Sequence, residues 1–463
     1  MGKRSCPEEA SSCPAGEKSK SKAAKDSGPS EPLTCEYLGI KVALVGAKKM
    51  KSIEKFKDAG FGDEILEYCK RFSTTTPIQA FSFPLIAKGK DLIGIAQTGS
   101  GKTAAFSLPV FDALLKEDSA GKKIKFIVLC PTRELCLQTF SVFQDICKFT
   151  HQSACCIYGG VSKDDQRREL RKNPLAIVAT PGRLNDFLDS NEIDISSVSV
   201  AVLDEADRML DLGFEPEVRK ILGYISNKNR QTLMFSATWP THVQRLANEF
   251  LRKPISLTVG NKELTANSQI TQSVHVLADP YQKNDLLRDL MAKHSTKAAK
   301  IIVFVLYKVE ATKVELFLKG LHYNVVSIHG DKNQQARTEA FEAFRTGKCN
   351  VLVATDVAAR GLDIPNVEFV INYTFPLTIE DYIHRIGRTG RAKKSGISIT
   401  FFTHHDKAHS GELVNVLKKT NQTVPEDLLK FGTTIKKKEH KEYGAFYKEI
   451  DPNVKGTRKT FDD

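Results

Sequence analysis

Short apolar runs, too brief for helices, recur along this chain, and each is followed by a longer amphipathic stretch. DLIGIA (91–96), FIVLC (126–130), LAIVAT (175–180), VAVLD (200–204) and TLMFS (232–236) resemble buried strands. Between them lie helical patterns such as ELCLQTFSVFQDICKF (134–149). Strand and helix in alternation imply parallel strands joined by crossover helices. The expected fold class is therefore α/β, with parallel sheets flanked by helices.

The alternation pauses over KPISLTVGNKELTANSQI (253–270), a polar stretch with one Pro and one Gly. It resumes with IIVFV (301–305), NVVSI (324–328), NVLVAT (350–355) and VEFVIN (367–372). Two α/β lobes, 35–255 and 271–430, joined by a flexible linker at 256–270, are the simplest reading. The 463 residues suit two or three domains of about 100–200 residues each. Residues 1–34 are rich in Ser, Lys, Glu, Ala and Pro without periodic hydrophobics, and read as a disordered tail. After about 430 the periodicity fades into a basic extension, 431–463.

No run of about 18 apolar residues occurs, so no membrane span is expected. The opening MGKRSCPEEASSCPAGEKSKSK lacks the apolar core of a secretory leader, which points to the cytosol or nucleus. Ten cysteines include no C-x-x-C pair, against a zinc ribbon or redox motif; most lie in strand-like runs and read as reduced core thiols. His404, His405 and Asp406 are not expected to hold a metal, because neighbouring side chains at a strand end point apart. The net charge is +13, of which the two tails (1–34 and 430–463) carry only +1 and +3. The excess therefore sits mainly on the folded part and favours an anionic partner.

AQTGSGKT (96–103) follows the run LIGIA and precedes a helical stretch, the setting a phosphate-binding loop requires. The loop Ala96, Gln97, Thr98, Gly99, Ser100 and Gly101 is expected to line a nucleotide. Its small residues let the amides of 98–102 turn inward around phosphate oxygens, and the next helix adds its positive end. Lys102 can reach the outer phosphates of ATP, and the Thr103 hydroxyl can hold Mg²⁺. The generic loop has Gly where Ala96 stands, which narrows the match to a variant. VAVLDEAD (200–207) ends a strand in Asp204, whose carboxylate can position Mg²⁺ beside the loop. Glu205 follows, placed to orient or deprotonate the attacking water. A lone Asp-Glu pair would read as an acidic helix start; the phosphate loop in the same lobe favours catalysis.

HRIGRTGR (384–391) spaces Arg385, Arg388 and Arg391 three apart, a similar face if the segment is helical. Such guanidiniums suit a triphosphate presented by the other lobe, with Arg388 and Arg391 as arginine fingers; an RNA-phosphate patch is the alternative. Fingers in one lobe and the loop in the other would make hydrolysis depend on lobe closure. Joined only by a polar linker, the lobes are expected to stand open without ligands.

PTREL (131–135), TPGR (180–183), DEAD (204–207), SAT (236–238), ARGLD (359–363) and HRIGRTGR occur in the order found in DEAD-box RNA helicases. The chain resembles that family over roughly 35–430. The resemblance implies two RecA-like lobes, ATP and Mg²⁺ bound between them, and RNA held across both by a monomeric motor. By position, Gln79 in TTTPIQ resembles the adenine-reading glutamine and Phe56 the aromatic that stacks on the base. Ser236 and Thr238 resemble the link between hydrolysis and RNA strain, and Gly361 and Asp363 match nucleotide contacts, Asp363 at the ribose. The RNA positions are Arg133, Gly159, Gly160 and Arg183 in the first lobe and Gly330, Asp331, Gln334, Arg337 and Thr355 in the second. Amides, hydroxyls and arginines suit phosphate and 2′-hydroxyl contacts, so base readout should be poor. Two departures are Thr75, where the family usually has Pro, and Thr374, where it commonly has Asp.

SATWP (236–240) and VLYKVEA (305–311) resemble the branch of the family that includes nuclear RNA helicases, and NYTFPLTIEDYIHRIGRTGR (372–391) followed by VPEDLLKFGTTIKKKEHKEYGAFYK (424–448) resembles its fungal nucleolar members of early large-ribosomal-subunit assembly. That implies pre-rRNA as substrate, pre-ribosomal proteins as partners, and a nuclear, nucleolar location. KKK (436–438) reads as a nuclear-localisation patch or a solvated basic turn, and, within a tail that carries Tyr443, Phe446 and Tyr447, as part of a second RNA anchor. The same motifs also fit an ATP-gated clamp that pins RNA without productive unwinding. A DNA helicase or a metabolic kinase fits less well, since the motif order is that of RNA helicases.

Overall fold

A computed structural model describes residues 32–49, 51–117, 123–260, 269–295, 299–356, 367–390 and 395–433, save the side chains of Thr241 and His242. Most of the expected tail (1–31), the middle of the linker (261–268), the extension from 434, and Gly361, Asp363 and Arg391 lie outside these residues.

The first sheet contains β1 (Leu33–Tyr37), β2 (Ile40–Val45), β3 (Leu92–Ile95), β4 (Phe126–Leu129), β5 (Ala154–Ile157), β6 (Ala176–Ala179), β7 (Val200–Asp204), β8 (Gln231–Ser236) and β9 (Ile255–Val259). Among the described residues its order is β1-β2-β9-β3-β8-β7-β4-β6-β5. From β9 to β5 every pairing is parallel; β1 and β2 pair antiparallel, and β2 runs antiparallel to β9. β3, β4, β6 and β7 are buried along their whole length, as parallel strands covered by helices on both faces must be. One face packs under Phe81, Phe106, Phe111 and Phe143, and the other under Leu184, Phe187, Ile221 and Leu246.

The second sheet contains β10 (Ile270–Leu277), β11 (Lys300–Val305), β12 (Val325–Ile328), β13 (Val351–Thr355), β14 (Val367–Asn372) and β15 (Gly396–Thr403). Its order is β10-β15-β14-β11-β13-β12, parallel throughout among the described residues. Two lobes, each a parallel sheet flanked by helices, are what the alternation implied.

The polar stretch is shorter than expected. ISLTV (255–259), assigned to the linker from 256 onward, is a strand between β2 and β3, because its alternating Ile255, Leu257 and Val259 fill a period-two face. The described strand β1 likewise takes in Leu33 and Thr34 of the expected tail, and described structure passes residue 430: Phe431 packs on Phe402, and Ser410 Oγ donates to Gly432 O at 2.8 Å. His404 and His405 do not point apart. They sit in a 3₁₀ turn with ring centroids 3.8 Å apart, and no three-residue metal cluster occurs among the described residues. No described helix is long and apolar enough to cross a membrane.

Candidate functional site

Sheet order, more than sequence distance, assembles the site. β3, β8 and β7 are neighbours, with Ile95 paired to Ser236 and Asp204 to Phe235. The loop after β3, the Ser-Ala-Thr after β8 and the acidic segment after β7 therefore emerge side by side at the carboxyl edge. The next three strands, β4, β6 and β5, deliver Arg133, Arg183 and Gly159–Gly160 to the same edge. One sheet thus presents two adjoining groups of loops.

In the first group, Ala96 N donates to Ser236 O at 3.1 Å, fixing the loop's entry. Gly99 and Gly101 adopt φ of 80° and 91°. A Cβ on Gly101 would lie 2.6 Å from Gln79 Nε2, so only glycine lets the glutamine settle there. Gln79 Nε2 donates to Gly101 O at 3.2 Å, and its Oε1 accepts from Thr76 N at 3.0 Å. One amide proton and one lone pair remain for a base edge. Phe56 is buried against Phe72 and Phe83, at centroid separations of 5.7 and 6.0 Å. Lys102 opens the helix Lys102–Lys116, and its Nζ donates to Ala96 O at 2.7 Å and Gln97 O at 3.2 Å. Burial holds its ammonium below the ordinary range, opposed by Asp204, Glu205 and Asp207 and reinforced by Arg388 from the other lobe.

Burial pushes Asp204 up to about 7, against the pull of Lys102. Glu205, next in sequence, sits at φ 51°, an unusual left-handed conformation for a non-glycine residue at a site. Asp207 is the hub that sequence reasoning missed. Its Oδ2 accepts from Thr238 N at 3.0 Å and Thr238 Oγ1 at 2.6 Å, while its N–H donates to Ser236 Oγ at 3.3 Å. Burial would raise Asp207, but His384 and the Thr238 and Ser236 bonds hold it below the usual carboxylate range.

His384 belongs to the second lobe, so the two lobes meet here. Complementary groups of the two lobes lie in contact there. Arg337 forms a largely buried salt bridge with Glu134, and Arg133 Nη1 donates to Gln334 Oε1 at 3.3 Å. Arg385 and Arg388 do not share a helical face, because the helix Ile379–Ile386 ends before Arg388. Arg385 is fully buried and held at 2.6 Å by both Asp356 oxygens and by Thr374 O. Arg388 is also buried, its Nε donating to His384 O at 3.3 Å.

Residues 76–246 match the DEAD/DEAH box helicase family, and residues 282–393 match the helicase conserved C-terminal domain. The chain is 49% identical over 427 residues to the ATP-dependent RNA helicase DBP3 of Yarrowia lipolytica, covering 92% of this chain and 80% of the relative. For DBP3 of Saccharomyces cerevisiae the identity is 50% over 396 residues, with 85% and 75% covered. The chain belongs to the DEAD-box family of ATP-dependent RNA helicases. Two solved helicases share its fold. Mss116p bound to ssRNA and AMP-PNP aligns with a TM-score of 0.72 at 29% identity, over 83% of each chain. S. cerevisiae Dbp5 bound to RNA and ADP BeF3 aligns at 0.70 and 29%, over 82% of this chain and 94% of its own.

In this DEAD-box helicase the second group of loops forms a composite surface. Gly160, at φ 81°, lies against the Arg133 guanidinium, with which a Cβ would collide. Arg183 Nη1 donates to Val161 O at 3.1 Å, continuing the surface. In the second lobe, Gly330 and Asp331 follow β12, Gln334 opens the helix Gln334–Arg345, and Arg337 lies one turn on. Asp331 pairs with Lys308 at 2.7 Å, and Thr355 ends β13 beside β12. Of the residues that bridge the lobes, Glu134, His384 and Asp207 carried no sequence expectation of their own. Their only signal was membership of motifs already recognised.

Proposed function

We propose that this helicase closes its lobes around ATP to clamp and bend RNA, locally opening short duplexes. The observation that carries this reading is the convergence of Lys102, Asp204, Asp207, Thr238, His384 and Arg388 where the lobes meet. Gln79 and Phe56 hold adenine, with Gly361 and Asp363 at the ribose side. The amides of the loop 96–101 and Lys102 hold phosphates. Arg388, with Arg391, faces them from the other lobe. Glu205, at a left-handed backbone position before the helix that follows it, orients the attacking water. Ser236 and Thr238 tie that centre to the lobe interface through Asp207.

Thr103 and Asp204 would hold Mg²⁺. A hydroxyl and a carboxylate suit a hard cation that keeps several waters and phosphate oxygens as its other ligands. A buried Asp204 pushed up to about 7 also fits a place where a cation restores the charged form. When bound, the ion would neutralise charge on the β- and γ-phosphates.

RNA lies across Arg133, Gly159, Gly160 and Arg183 and across Gly330, Asp331, Gln334, Arg337 and Thr355. Resemblance to the nucleolar branch supports pre-rRNA in large-subunit assembly as the setting, among pre-ribosomal proteins. The buried Glu134–Arg337 bridge favours one further reading, a clamp that holds RNA with hydrolysis as its release timer. Steady-state ATP hydrolysis with and without single-stranded RNA, alongside duplex unwinding, tests both. Strong stimulation lost in Glu205→Gln, together with unwinding, is expected. RNA held under a non-hydrolysable analogue without unwinding would favour the clamp, and no stimulation would overturn the motor. Depletion that leaves pre-rRNA processing unchanged would exclude the ribosomal setting.

A further inference from the structure

Thr75, the departure from the family pattern beside the adenine site, is held by its own network. The residue is 1% exposed. Its N–H donates to Glu54 O at 3.1 Å, a bond a proline could not make. Its hydroxyl donates to Ile53 O at 2.6 Å. A threonine hydroxyl has one proton, so the contact with Tyr37 Oη at 3.0 Å has Tyr37 as donor and Thr75 as acceptor. The Tyr37 ring also stands edge-on to Phe81 at 5.7 Å, and Phe81 lies two residues beyond Gln79 on the same helix, Pro77–Ile86.

These bonds add to the one Ile53 N donates to Ala80 O at 2.9 Å, and they bring a third segment, β1, into the same network. Ile53 and Glu54 lead directly to Phe56 in its 3₁₀ turn. Thr75 leads to Thr76, whose N–H fixes Gln79 Oε1, and Gln79 Nε2 in turn rests on Gly101 O. Tyr37 ends β1, in the hairpin whose second strand pairs with β9. We propose that Tyr37 and Thr75 are positioning residues for adenine recognition. The Tyr37–Thr75 pin sets the spacing between the segment carrying Phe56 and the turn carrying Gln79, and replaces with hydrogen bonds the rigidity the family usually takes from a proline ring. This rests on the nucleotide site assigned above. It predicts a change in base selectivity and ATP affinity, not in the hydrolysis step.

The test is equilibrium binding of fluorescent ADP and GDP to the full chain, with KM and kcat for ATP, in Tyr37→Phe, Thr75→Val, Thr75→Ser and Tyr37→Phe/Thr75→Val. Tyr37→Phe keeps the ring against Phe81 and removes only the hydroxyl. One lost hydrogen bond should raise the ADP dissociation constant and the KM for ATP roughly three- to tenfold, with kcat held. The ADP/GDP preference should fall by a similar factor. Thr75→Val should do at least as much, Thr75→Ser should stay near wild type, and the double variant should add little to Thr75→Val. Unchanged adenine affinity in folded Tyr37→Phe, with or without a lower melting temperature, overturns the proposal. So does equal weakening of ADP and GDP. Because binding is read without RNA or hydrolysis, failure of the helicase reading would show separately, as a wild type that binds ADP normally yet is not stimulated by RNA.

Discussion

Gly160 has φ 81°, and its α-carbon leaves no room for a β-carbon beside the Arg133 guanidinium. The sequence marked Gly159 and Gly160 as RNA contacts. The structure adds that Gly160 makes space for an arginine whose cation is already crowded, burial and then Arg337 holding it below its ordinary range. Gly160→Ala should pay for the left-handed backbone and displace Arg133, weakening RNA binding about tenfold while ADP binding is retained. Fluorescence anisotropy at fixed salt would show it, and unchanged RNA affinity would refute the packing role. At this scale the candidate site was legible by residue chemistry at Lys102, Asp204 and Glu205, and by family resemblance at Gln79. It was not legible where a role arises from contact across many residues. Asp207 and Thr238 are 31 positions apart and meet only because β7 and β8 are neighbours.

Elements show where periodicity informs and where it misleads. The buried runs became the strands they resembled, since a four- to six-residue apolar segment between helices has few other places to go. HRIGRTGR was less transparent, because a three-residue spacing implies a shared face only while the helix lasts, and this one ends at Ile386. Arg385 is thereby separated in role from Arg388. It is a buried strut between β13 and β14, clasped by Asp356 with its guanidinium 5.2 Å from the Phe304 ring. Asp356→Ala would leave that cation buried without its carboxylate, at a cost of about 3–5 kcal/mol. Denaturant unfolding should show a second lobe destabilised by about that amount. A loss below about 1 kcal/mol would mean Asn372 and Thr374 suffice. The segment 255–259 escaped notice because its alternation is only five residues long inside a polar stretch, and Ser256 and Thr258 deny it the continuous apolar run that marked the other strands.

At the scale of the molecule, the structure shows the two lobes meeting through Glu134–Arg337 and Arg133–Gln334. Sequence patterns describe each lobe but say little about charge complementarity between surfaces that belong to different sheets. Reversing one partner, Glu134→Arg, sets like charges against Arg337 and Arg133. Solution scattering with RNA and a non-hydrolysable ATP analogue should give a measurably larger radius of gyration for the variant than for wild type. Matching profiles would show that the pair does not hold the lobes. Recovery of compaction in Glu134→Arg/Arg337→Glu would tie the effect to this bridge.

The hairpin of residues 33–45 carries a practical consequence. The helicase family match starts at residue 76, which invites a shortened protein cut there, yet β2 is the partner that covers the outer side of β9. Such a cut would bare a row of unpaired amides and carbonyls on Ile255–Val259, a template for strand addition by another copy. Insolubility of that fragment would then reflect an exposed sheet edge, and would say nothing about whether the remaining motor is intact.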